Sequence, residues 1–145
     1  MSTKLSMRQF RIEVFRGLFL YEFYDEDYDE QLFLMYDQDT HFDEIKISEE
    51  DGEKIIQKCR DVISRVESID ESIDNNLDKW TINRIGKVEL TILRLAVYEY
   101  RYDKLDAAIV INEAIEIAKI YGGDKSGAFI NGVMAKIVKS DDKQE

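Results

Sequence analysis

Apolar residues recur every three or four positions along most of the 145-residue chain, the spacing of helices that bury one stripe. Phe10, Val14, Leu18 and Tyr21 predict a first helix from Ser6 to about Tyr24, with Arg8, Arg11 and Arg16 beside the stripe. Ser6 followed by Gln9 fits a capping box that satisfies two orphan backbone donors. A second helix is predicted from Asp27, with Glu30 at the capping-box position, through Leu32, Phe33, Met35 and Tyr36 to the DQDTH segment. Ser48 and Asp51 open a third, which carries Ile55, Ile56, Cys59, Ile63 and Val66. The period continues through Ile69, Ile73, Leu77 and Trp80, a fourth helix either joined to the third or separated by a turn near Ser68 to Asp70.

From Val88 onward the stretch Arg84 to Tyr100 is apolar on most sides, as a central helix is. Ala107 to Tyr121 is the next helix, with Ile109, Ile111, Ala114, Ile115 and Ala118 expected inward and Gly122-Gly123 as a left-handed stop. The last begins near Ser126, runs through Phe129, Ile130, Val133, Met134, Ile137 and Val138, and leaves a charged tail, 140–145, expected to fray. AAIVI alone reads as a strand, but no turn and no alternating partner follow it. The expectation is therefore an all-α, compact bundle of roughly seven helices in one domain over 1–145, with core helices in 84–139.

Composition supports this: proline is absent and glycine numbers 7, too little turn punctuation for a many-stranded fold. No apolar run approaches the roughly 20 residues that cross a bilayer, and MSTKLSMRQF lacks a signal peptide's apolar stretch, so no membrane partner and a cytoplasmic address are expected. Cys59 is the only cysteine, which excludes an internal disulfide.

The net charge of -11 argues against nucleic acid until it is divided along the chain. Residues 1–19 carry +3 through Lys4, Arg8, Arg11 and Arg16 against Glu13, and residues 79–139 also carry +3. The deficit sits in the acidic segment 25–53, at -12. An anionic ligand can thus meet both ends while avoiding the middle. Asp37, Asp39, His41 and Asp43 alternate like a calcium loop, but Phe42 stands at the glycine place and Ser48 at the closing glutamate place. His41 is the only histidine and has no nucleophile nearby in sequence. With no phosphate-cradling glycine loop either, no enzyme, metal or cofactor is expected.

Three blocks, LRLAVYE, INEAIEIAK and FINGVM, lie in order within Trp80 to Ile137 and resemble the NusB family of bacterial transcription antitermination factors. MRQFRIEVFRGLF resembles that family's arginine-rich start; residues 25–78 match only as generic helix. The resemblance implies an all-helical fold in two packed halves that binds the boxA segment of ribosomal RNA together with the ribosomal protein NusE, inside the RNA polymerase antitermination complex. It implies RNA contacts from Lys4, Arg8, Arg11, Arg16, Lys125, Ser126 and Phe129, and NusE contacts from Phe19, Glu89 and Arg94. Guanidinium forks suit phosphates and bases, and an aromatic ring beside helix N-terminal amides suits a stacked base. Gln9 departs from a frequent family arginine and Lys125 from a frequent acid.

Each residue also has a plainer role. The arginines serve as a solvated helix face, Phe129 as core, Arg94 as the partner of Glu89 or Glu99, and Asn112 and Asn131 as hydrogen-bonding joints between helices. Two other readings of the whole chain stand beside the first. One is an RNA-recruiting domain of the type fused to ribosomal RNA cytosine methyltransferases; the other is a protein-interaction module without RNA affinity, which the pI of about 4.6 suits. Oligomeric state is left open, a homodimer among the alternatives.

Overall fold

The computed structural model describes residues 5–36 and 47–143, so Lys4 and the Asp37–Asp43 cluster lie outside the described residues. Among those described, the chain is all-α, with seven α-helices and no strand. They are α1 (Met7–Phe19), α2 (Tyr28–Met35), α3 (Glu49–Ser64), α4 (Val66–Asn75), α5 (Lys87–Arg101), α6 (Ala107–Tyr121) and α7 (Ser126–Lys143). They form two compact units, residues 1–64 and 65–145.

In the first unit, Ser6 caps α1 as its sequence predicts. Its hydroxyl accepts the Gln9 amide at 3.1 Å, and Gln9 Oε1 accepts the Ser6 amide at 3.0 Å. The helix stops at Phe19 rather than Tyr24. Leu20–Glu22 tightens into a 3-10 turn in which Leu20 carbonyl accepts both the Phe23 and Tyr24 amides, and those two side chains are exposed, with no core to extend the helix. Val14, Phe15 and Leu18 of α1 meet Leu32 of α2 and Ile55, Cys59 and Val62 of α3 in a dry core. Phe33 of α2 stays out of it at 57% exposure, Met35 is half-buried, and Asp27 makes no side-chain cap. The break after α3 falls at Arg65, ahead of the place near Ser68 to Asp70 where a turn is one expectation, and those residues are helical.

Three buried polar side chains stitch this unit. Tyr28 donates to Gly17 carbonyl at 3.0 Å, Tyr36 to Glu13 carbonyl at 2.5 Å, and the Cys59 thiol to Val14 carbonyl at 3.5 Å. Burial pushes the Cys59 thiol up to about 12 and drives both tyrosine hydroxyls upward in the same way. Gly17 is the point of closest approach: a methyl there would sit 2.8 Å from Cys59 Sγ and 3.0 Å from Leu32 Cδ1. Gly17→Ala should therefore lower unfolding free energy by about 1–3 kcal/mol through overpacking, despite alanine's better helix propensity. Urea titration checks this, and a stabilised variant would show that the contact relaxes freely.

In the second unit, all residues from Leu90 to Val97 on α5 are buried, as a central helix requires. Around it lie Ile69 and Ile73 of α4, Val110, Ala114, Ile117 and Ala118 of α6, and Ile130, Val133, Met134 and Ile137 of α7. The buried face of α6 is thus rotated from the expected one: Ile109 is 55% exposed, while Val110 and Ile117 point inward. AAIVI is apolar all round, so periodicity could not select its face. Asn112 and Asn131 are exposed and join no helices. Gly122 ends α6 in an extended conformation, φ -95° and ψ -177°, not a left-handed one. Glycine is required there for space, since a Cβ would lie 2.6 Å from Ser126 Oγ and 2.9 Å from Ala118 carbonyl. Helix α7 extends to Lys143, and Arg101 holds Asp141 in a fork of 3.0 and 2.7 Å.

Candidate nucleic-acid interface

The start of α7 builds one wall of a recess of about 530 Å³ in the second unit, lined by Trp80, Arg84, Ile85, Gly86, Glu89, Gly123, Asp124, Lys125, Ser126 and Phe129. Ser126, buried at 5% exposure, organises it. Its hydroxyl donates to Glu89 Oε1 at 2.5 Å and accepts the Gly123 amide at 2.9 Å, which fixes the Gly122–Lys125 loop against α5. Gly86 lets the Glu89 carboxylate lie close to the backbone, where a methyl would overlap it. Phe129 is half-buried, its ring shared between the core face of α7 and this recess.

Lys125, Ser126 and Phe129 are therefore brought together as the sequence implies, but Ser126 acts by positioning the loop. Glu89 joins this group and not Arg94, which lies about 1.4 turns further along α5. Arg94 instead forms a fork with Asp70 of α4, Nε to Oδ1 at 2.9 Å and Nη2 to Oδ2 at 2.8 Å. Neither Glu89 nor Glu99 is its partner in that fork, since residues five apart on a helix face different sides. Its side chain is 9% exposed, so it ties α5 to α4.

In the first unit, Arg8 is exposed on the opening turn of α1. Arg11 is buried at 9% exposure, against the expectation that it lies beside the stripe. Arg16 pairs with Glu13 at 3.1 Å, one turn earlier. Phe19 is half-buried in an aromatic run, stacked on Phe15 at 6.0 Å and edge-on to the exposed Phe23 at 5.3 Å.

Sequence reasoning missed Trp80 and Arg84. Trp80 fits the helical period of Ile69, Ile73 and Leu77, yet α4 ends at Asn75 and the indole stands 55% exposed in the following loop. The available signal was that a lone tryptophan four residues before an arginine and six before a glycine is poor helix-core material. Among the described residues no three metal-ligating side chains cluster, and no helix is long and apolar enough to cross a membrane.

The described residues thus form a two-unit, all-α protein with a loop recess that sets Trp80 and Phe129 beside Arg84 and Lys125, with Glu89 and Asp124 also on its wall. Residues 8–139 match the NusB family, and the chain belongs to that family. It is 40% identical over 134 residues to the transcription antitermination protein NusB of Agathobacter rectalis, covering 91% of this chain and 98% of that one. The corresponding protein of Lachnoclostridium phytofermentans is 38% identical over 136 residues, covering 92% and 99%. Among solved structures, T. maritima NusB superposes with a TM-score of 0.78 at 36% identity, over 94% of this chain and 93% of that one. A chain from a crystal structure of the antitermination factors NusB and NusE in complex with double-stranded RNA superposes at 0.73 with 25% identity, over 93% and 99%.

Proposed function

We propose that this chain is a transcription antitermination factor that binds boxA-type single-stranded ribosomal RNA leader together with NusE, in the cytoplasm, as part of the RNA polymerase antitermination complex. It acts by assembly and not by catalysis, and its two units serve as one RNA-binding domain. The observation that carries this reading is the likeness, over nearly the whole chain, to a NusB crystallised with NusE and RNA. The recess supports it: Phe129 offers a stacking face, and Lys125 and Arg84 offer charge beside the loop that Ser126 holds. Arg8 and Lys4 add cations from the first unit, with Arg16 shared with Glu13. Phe19 is the NusE contact this reading favours, because its aromatic run reaches the surface at Phe23, whereas Arg94 is engaged by Asp70.

Titrating a labelled boxA RNA with and without NusE, at two salt concentrations, tests this. Affinity should fall as salt rises, and Arg8→Ala should flatten the logarithmic slope by about 0.7, the loss of one single-strand phosphate contact. Arg11→Ala should act on stability instead, since Arg11 is buried. Absent or salt-independent binding with NusE present favours a protein-interaction module, the reading that the acidic pI of about 4.6 supports.

A further inference from the structure

A second recess, of about 430 Å³, lies on the other side of Trp80 and Phe129, so these two rings are walls of both. Its floor follows one face of α7, where Phe129, Gly132, Val133 and Lys136 succeed one another at helical spacing. Lys79 borders it, and Lys136 pairs with Asp78 across it. Two observations make this more than a dent in the surface. The first is Trp80, whose indole is 55% exposed although its loop is anchored, the Ile82 amide donating to Asp74 Oδ1 at 3.0 Å and the Arg84 amide to Thr81 carbonyl at 2.9 Å. Such a ring is costly to leave in water, and the loop that carries it is anchored just beyond it.

The second is Gly132. Glycine inside a helix destabilises it relative to alanine, and it is ordinarily present because something approaches closely. A Cβ on Gly132 would meet nothing within 4 Å. Nothing within the fold asks for glycine there, and its effect is to leave bare backbone on the floor between Phe129 and Lys136.

The geometry points to a second nucleotide subsite: the RNA strand continues past Phe129, over Trp80, and seats a further base in the recess floored by Gly132. The base stacks on the indole, the missing side chain gives it room, and Lys79 and Lys136 border its phosphate. Around the two recesses four cations, Lys79, Arg84, Lys125 and Lys136, face three carboxylates, Asp78, Glu89 and Asp124, a net +1 on a chain of -11. This inference rests on the RNA-binding reading above and adds to it the path and one subsite.

Trp80 is the only tryptophan and borders both recesses, so its fluorescence reports the second one as the quenching that a longer RNA adds to that of a short one. The probes are a synthetic boxA RNA and the same RNA lengthened by two nucleotides at either end in turn, each titrated against the full chain with NusE bound. For one of the lengthened RNAs, indole quenching and an affinity gain over the short RNA are expected together. Gly132→Leu should remove that gain, between roughly five-fold and a hundred-fold, while leaving the short RNA bound, whereas Trp80→Ala should weaken both RNAs because its ring walls both recesses. Gly132→Ala should raise the thermal midpoint by about 1–4 °C and yet weaken the lengthened RNA, a combination that a purely structural glycine would not produce. If no RNA binds the wild type, the functional reading fails. If RNA binds but Gly132→Leu keeps the full gain, or NusE alone quenches Trp80, the subsite is overturned and the reading of function stands.

Discussion

Replacing Arg94 with alanine should lower the unfolding free energy by about 2–4 kcal/mol, among the largest single effects available in the second unit. The guanidinium is 9% exposed and holds Asp70 in a two-bond fork between α5 and α4. Its removal leaves a carboxylate that has lost its countercharge beside an apolar core. Asp70 is 27% exposed and takes up water, which keeps the cost below that of a wholly buried orphan charge. The double replacement Arg94→Met with Asp70→Leu should recover much of the loss, because an apolar pair of similar volume needs no partner. Urea unfolding reads both. A change under about 0.5 kcal/mol for Arg94→Ala, with NusE binding lost, would assign the guanidinium to the partner instead.

The second large effect is alkaline. Cys59, Tyr28 and Tyr36 are buried and neutral, and burial raises each of their pKa values in the folded chain. In the unfolded chain they ionise at their ordinary values, so the unfolded state sheds protons first as pH climbs. The contribution of these groups is complete below about pH 9 and is lost progressively above it. With the thiol pushed up to about 12, Cys59 alone accounts for roughly 3 kcal/mol between about pH 9 and pH 11, and each tyrosine adds about 1 kcal/mol by pH 11. That is comparable to the whole stability of a small domain, so unfolding should set in within this window. Of the 8 tyrosines, two should resist ionisation until the fold opens, visible as a late step in tyrosinate absorbance that coincides with loss of helical circular dichroism. Cys59→Ala, though less stable at neutral pH, should show a shallower alkaline slope. A slope equal to wild type would remove the thiol from this account.

How much of this was legible in the chain varies by element. Ser6 and Gln9 announced the capping box of α1, and α6 spans Ala107–Tyr121 as its pattern marks, opened by an unforeseen cap in which the Asp106 carboxylate accepts the Ala108 amide at 2.8 Å. These are local signals, carried by side chains within a few residues of the backbone groups they satisfy. The arginine-rich start and the FINGVM helix were equally visible as candidate site material. Which arginine is buried was not, since Arg8 and Arg11 are one turn apart on the same helix and differ only in what lies against them.

Composition and period alone determined that the chain is helical, roughly where each helix begins, that the helix within Arg84 to Tyr100 is central, and that the chain's positive charge lies at its ends. Only the tertiary structure decided which face of α6 is covered, that Arg94 answers to Asp70, and that Trp80 leaves the helix it fits to stand beside Phe129 in a recess. Capping and periodicity act over one or two turns of backbone and are written in neighbouring residues. Burial, ion pairing and the walls of a recess depend on segments twenty to fifty positions apart, and no local pattern carries their distances.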